Sequence, residues 1–134
     1  MGHIRTAITL SNPRIPGLLP VTIEALVDTG AMTLCIPPEL AARLQLHLDE
    51  GEWRKATMAD GTMREVPYVG PVKVSFGNRS CYGGTLVMGD EVLLGAVQME
   101  DLDLIVVPAH RRVVVNPASP EFPSALVKRQ GRAA

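Results

Sequence analysis

The chain has 134 residues, of which 46% are hydrophobic but only 4% aromatic, and its formal net charge is −1. That length suits one domain with a single core of aliphatic side chains and methionine. The balanced charge argues against a nucleic-acid or anionic-membrane surface, and no apolar run reaches the about 20 residues that span a bilayer.

Eleven prolines and twelve glycines spread along the chain point to many short elements and turns, and so to a mostly β fold. Residues 4–10 alternate and stop at Ser11-Asn12-Pro13, a turn signal. Residues 21–27 predict a second strand, with Thr22 and Glu24 facing away from Val21, Ile23 and Ala25. After an Asp-Thr-Gly turn comes a short strand over 33–36. Pro37-Pro38-Glu39 then opens a helix that buries Leu40, Ala41, Leu44 and Leu46 and turns Arg43 outward. Strands over 53–58 and 63–69 flank Ala59-Asp60-Gly61-Thr62, a hairpin turn. Strands over 72–76 and 80–88 follow, with a bulge expected at Gly83-Gly84. An apolar strand, 92–94, ends on Gly95, with a short helical stretch over 96–101 and two last strands over 104–107 and 112–115.

The N-terminus lacks a charged stretch followed by an apolar one, so no secretory signal is expected. Cys35 and Cys81 lack metal-like spacing and read as structural thiols of a reduced, cytoplasmic protein. His3, His47 and His110 are far apart, and Glu100, Asp101 and Asp103 read as a solvated helix end. Neither a metal nor a cofactor is expected. The basic run Lys128-Arg129-Gln130-Gly131-Arg132 reads as a solvated tail.

The strongest chemical signal is Leu26-Val27-Asp28-Thr29-Gly30-Ala31, a strand that delivers a carboxylate through a turn requiring Gly30. A second strand-to-glycine element, Leu93-Leu94-Gly95-Ala96, lies about 65 residues on. With the Ile36-Pro37 helix start and the glycine-tipped hairpin between, this order resembles the retroviral-type (retropepsin-like) aspartic proteases, in particular their single-domain bacterial members. The resemblance covers residues 4–116.

It implies a closed acid-protease-like β-barrel carrying one catalytic Asp, with the active site formed by a homodimer and a peptide or protein as substrate. Asp28 would pair with Asp28 of a second copy, sharing one proton, to activate a water against the scissile carbonyl. Thr29 would reach across the two-fold axis, and the Gly30 amide would bond to Asp28. Ala31 lacks the hydroxyl that would hold the carboxylate charged at lower pH, which predicts activity at mildly acidic to near-neutral pH. The hairpin of Met58, Ala59, Asp60, Gly61 and Thr62 would be a flap over the substrate, and Met32 would help line the pockets. The sequence departs from the retroviral pattern at Ala96, where Arg is common. Residues 1–116 are read as the protease domain and 117–134 as a tail that is either part of the dimer contact or disordered. The alternative function is a dimer that binds extended peptides and cleaves nothing, or only itself.

Overall fold

A computed structural model describes residues 3–127. Nine strands and two short helices follow in the order β1 (Arg5–Ser11), β2 (Val21–Val27), β3 (Cys35–Ile36), α1 (Pro38–Arg43), β4 (Glu52–Thr57), β5 (Met63–Phe76), β6 (Arg79–Val87), β7 (Val92–Leu94), α2 (Ala96–Asp101), β8 (Leu104–Val107) and β9 (Arg112–Val115). Seven strands form one sheet in the order β1-β2-β7-β3-β6-β5-β4, and β1 also pairs with β5. That extra pairing closes six strands into a barrel and leaves β4 as an outer arm hung from β5. Closure removes most free edges. Ile8, Leu10, Ala25, Leu34, Ile36, Val72, Val74 and Leu94 fill the interior, each at most 2% exposed.

The alternation seen in the sequence sets the inward faces. Along β2, Val21 and Ala25 are buried while Thr22 and Glu24 face out, and in β5 Val72 and Val74 are buried on either side of Lys73. The expected helix lies at α1, with Pro38 in its first turn, Glu39 near the positive end and Arg43 in the last turn. Leu40, Ala41, Leu44 and Leu46 are all buried.

Two expectations are corrected. The separate strands over 63–69 and 72–76 are one 14-residue strand, β5, that runs through Gly70-Pro71. Pro71 has no N–H for the ladder, and the register with β6 shifts between Val69 and Val72. The irregularity expected at Gly83-Gly84 thus has its extra residue on β5. Gly84 lies beneath the Tyr68 ring, where an added Cβ would come within 2.4 Å of it.

The acidic stretch after Gly95 is not simply a solvated helix end. Glu100 and Asp101 are exposed, but Asp103 accepts hydrogen bonds from the Ser119 hydroxyl, the Ser124 amide at 3.0 Å and Asn116 Nδ2 at 3.0 Å. It also faces the fully buried Arg79 guanidinium at 3.8 Å. Arg79 donates to the carbonyls of Leu102 and Ser119, and Asn78 Nδ2 donates to those of Pro120 and Glu121. These bonds fasten the chain beyond Asn116 onto the β5–β6 turn, a segment whose sequence pattern alone left it unplaced. The basic run beginning at Lys128 lies outside the described residues.

The Ser119, Ser124 and Asn116 bonds, helped by the charge of Arg79, hold Asp103 down to about 2. A carboxylate depressed on folding stabilises above its unfolded-state value, near 3.8, and that stability is lost as pH falls towards 2. Asp103→Asn is therefore expected to lower the thermal midpoint most at pH 5, with the gap from wild type closing between pH 4 and pH 2. Thermal melts across that range check this, and a gap independent of pH contradicts it.

Candidate active site

The parallel pair β2–β7 builds the floor of the site. Ala25, Leu26 and Val27 stand in register with Val92, Leu93 and Leu94, so the two strand-to-glycine elements end side by side. The Asp28 amide donates to the Leu94 carbonyl at 3.0 Å, continuing the pairing one residue past the strand. From there the chain turns through residues 29–33. The Gly30 amide donates to Asp28 Oδ1 at 2.9 Å, and the Ala31 amide donates to the Asp28 carbonyl at 3.0 Å. A Cβ on Gly30 would sit 3.1 Å from Asp28 Oδ1, so glycine lets the backbone approach the carboxylate.

The other side of the loop rests on the start of α2. The Ala96 and Val97 amides donate to the Ala31 and Met32 carbonyls, both at 2.9 Å. These are among the first amides of the helix, which have no partner within it. Gly95 packs so closely on Thr33 that an added Cβ would lie 2.6 Å from its carbonyl. Gln98 Nε2 donates to Thr33 Oγ1 at 3.2 Å. Thr33 and Gln98 were not singled out from the sequence, and Gly95 was singled out only as the end of the second strand-to-glycine element, not for its packing on Thr33. The available signal was the repeated strand-Gly pattern, which implies that the second glycine packs against the first loop.

In this setting Asp28 is half-buried, Thr29 and Gly30 are exposed, Ala31 is half-buried and Met32 is 78% exposed. Thr29 opens onto a groove whose lining also includes Val97, Leu104 and residues 123–126. Val97 is 48% exposed, and Leu126 fully so.

The β4–β5 hairpin carries the remaining candidate residues. Met58 is half-buried, while Ala59, Asp60, Gly61 and Thr62 are exposed. The Gly61 amide donates to the Met58 carbonyl at 2.9 Å, and the Met58 amide to the Thr62 carbonyl at 2.7 Å. Gly61 has φ +88°, a value that favours glycine. Asp60 Oδ1 accepts from the Thr62 hydroxyl at 2.6 Å and its amide at 2.9 Å, and these bonds lower the Asp60 pKa. The tip is thus pinned by its own side chains. Among the described residues no hydrogen bond joins it to residues 28–33.

The thiols offer no competing chemistry. Both are free and buried. Burial, then the nearby Asp28 charge, push the Cys35 thiol up, and burial with Asp101 pushes Cys81 up to about 12. Neither is a thiolate near neutral pH.

A six-stranded closed barrel that ends two parallel strands on an Asp-Thr-Gly loop and a Leu-Leu-Gly turn defines an acid protease of the retropepsin-like class. A family model described as "Aspartyl protease" matches residues 14–118, and the chain belongs to that family. Its activity class is accordingly that of an aspartic-type endopeptidase, a hydrolase. Among solved structures it is similar to EIAV protease complexed with the inhibitor HBY-793, with TM-score 0.58, 21% identity and coverage of 79% of this chain and 93% of that one. It is also similar to a retropepsin-like aspartic protease from Rickettsia conorii, with TM-score 0.56, 20% identity and coverage of 79% and 77%. The retroviral protease-like domain of Ddi1 from Leishmania major matches with TM-score 0.56, 13% identity and coverage of 87% and 90%. Comparison with curated proteins returns no match. Among the described residues no helix is long and apolar enough to cross a membrane.

Proposed function

We propose that the chain hydrolyses peptide bonds in extended substrates as a homodimer, with Asp28 of each copy forming the catalytic pair. The observation that carries this reading is the single, half-buried Asp28 carboxylate. It is aimed by the Gly30 amide and flanked by an exposed Thr29 on a loop fastened to two strands and a helix. One carboxylate cannot serve at once as general base and general acid. Two about 3 Å apart cannot both be charged, so they share a proton. The ionised one draws a proton from a bound water, which attacks the scissile carbonyl, and the protonated one donates to the carbonyl oxygen.

In this scheme the exposed Thr29 bonds across the two-fold axis and holds the loops together, while Gly30 orients Asp28. Ala31 offers no hydroxyl to the carboxylate, and Met32 and Met58 line the pockets for apolar side chains. The exposed apolar Leu126 and Val127, with residues 123–126 along the groove at Thr29, support a role for the C-terminal segment in the contact between copies. Two free, buried cysteines support a reducing, cytoplasmic setting.

The hairpin over 58–62 acts as the flap, closing on the substrate backbone as an added strand. Asp60→Ala removes both Thr62 bonds at the tip. Steady-state kinetics are expected to show KM raised about threefold to tenfold with kcat nearly unchanged, the pattern of lost uniform binding.

The test of the whole reading is cleavage of a diverse peptide library between pH 4 and 7 at dimer-forming concentration, with Asp28→Asn as control and a pepstatin-type inhibitor as a second arm. Cleavage that is inhibitor-sensitive and absent from the variant is expected. An intact library with a sedimenting dimer would leave a peptide binder without hydrolysis.

A further inference from the structure

Helix α2 inverts the usual burial pattern. Val97 is 48% exposed while its polar neighbour Gln98 is 4% exposed. Gln98 Nε2 reaches Thr33 Oγ1 at 3.2 Å, but Oε1 is buried with no hydrogen-bond partner among the described residues. A buried amide with an orphaned oxygen carries a desolvation cost that a methionine of similar length would not. The compensating contact is the bond to Thr33. Thr33 ends the loop that begins at Asp28, and the remaining ties from α2 to that loop run from its backbone amides to Ala31 and Met32.

We propose that Gln98 is a positioning residue for Asp28. It touches neither substrate nor the reacting atoms. By gripping the Thr33 hydroxyl it fixes the far end of residues 28–33, so that the loop has one arrangement against Gly95 and the Asp28 carboxylate one direction. Backbone bonds anchor the loop at Asp28, Ala31, Met32 and, just beyond it, Leu34, but none of them holds the Thr33 side chain, whose hydroxyl is bonded by Gln98. This inference rests on the reading of Asp28 as the reacting acid, and it adds a residue that the Asp-Thr-Gly motif does not contain.

The test compares Gln98→Met, which keeps length and removes both amide atoms, with wild type in three measurements. Peptide cleavage is expected to show kcat down about tenfold with KM within about twofold, the mark of lost alignment and not of lost binding. Backbone amide exchange at Gly30 and Ala31 is expected to quicken about tenfold or more. The thermal midpoint is expected to stay level or rise, because the orphaned oxygen is gone. In a Thr33→Val background, Gln98→Met is expected to have little further effect on either kcat or exchange.

Wild-type kcat and exchange in Gln98→Met would overturn the proposal. So would a fall in kcat matched by a lower thermal midpoint, or one undiminished in the Thr33→Val background. If the wild-type protein cleaves nothing, the reading of Asp28 fails separately. Amide exchange then decides alone whether Gln98 orders the loop.

Discussion

Wild-type protein mixed with an equal amount of Asp28→Asn and allowed to exchange subunits is expected to keep about a quarter of the activity of the same total of wild type. The reason lies in the count of acids. Each chain brings one Asp28 on one loop, so a site that needs two draws both from random pairing, and only wild-type pairs have them. If each chain worked alone, the mixture would keep about half. The variant by itself is expected to lose on the order of 10⁴-fold in kcat, because under the proposed mechanism it removes both the base that activates water and the acid that protonates the carbonyl oxygen. Its fold should survive. Asparagine keeps an oxygen to accept the Gly30 amide, and a proposed pair of neutral amides carries no charge to hold the copies apart. An equal or tighter dimer in sedimentation, with activity gone, would locate the loss in the chemistry. Activity that falls linearly with the fraction of variant would exclude a shared pair.

Much of this arrangement could be read from residue order because its forces are local. The alternation along β2, the proline-led start of α1 and the Asp60-Gly61 turn each depend on neighbours a few positions away, and each appears at its expected place. The Asp-Thr-Gly loop was legible for the same reason: a carboxylate, a hydroxyl and a glycine directly after a buried strand have few structural uses.

What escaped depends on partners far along the chain. Arg79 opens β6 directly after the Gly77-Asn78 turn, and nothing in the neighbouring residues points to a buried partner. Arg79 is 1% exposed because residues 116–124 return to cover it and Asp103 meets its charge. Strand β5 read as two strands because a Gly-Pro pair normally ends one; the ladder with β6 resumes at Val72 after the irregularity. Gln98 was hidden differently. A polar residue between Val97 and Met99 looks like the outward face of a helix. Its burial, with Val97 turned out towards the groove at Thr29, reverses the pattern where sequence logic gives way to a site.

Gly95→Ala is expected to damage both stability and activity. Gly95 has an extended backbone, φ −89° and ψ 179°, so alanine would meet no conformational penalty there. The obstacle is space. The added Cβ would lie 2.6 Å from the carbonyl carbon and oxygen of Thr33 and 2.7 Å from its amide nitrogen, all backbone atoms that no rotamer change can move. Relief to an ordinary contact of about 3.4 Å or more requires the loop and the start of α2 to separate by nearly an ångström. The bonds from Ala96 and Val97 to Ala31 and Met32, now 2.9 Å, and the Gln98–Thr33 bond at 3.2 Å would lengthen together. Overpacking of this kind costs about 1–3 kcal/mol, a fall in thermal midpoint of roughly 5–10 °C for a chain of this size. The catalytic loss should be larger than the stability loss implies. A displacement near 1 Å at a reacting group costs about 10²-fold in rate, and the displaced element here carries Asp28, the reacting acid of the proposed mechanism. Circular dichroism melts beside peptide cleavage at a temperature where the variant is fully folded separate the two effects. A folded Gly95→Ala protein with wild-type kcat would mean that the tight seat of Thr33 on Gly95 does not govern where the acid points.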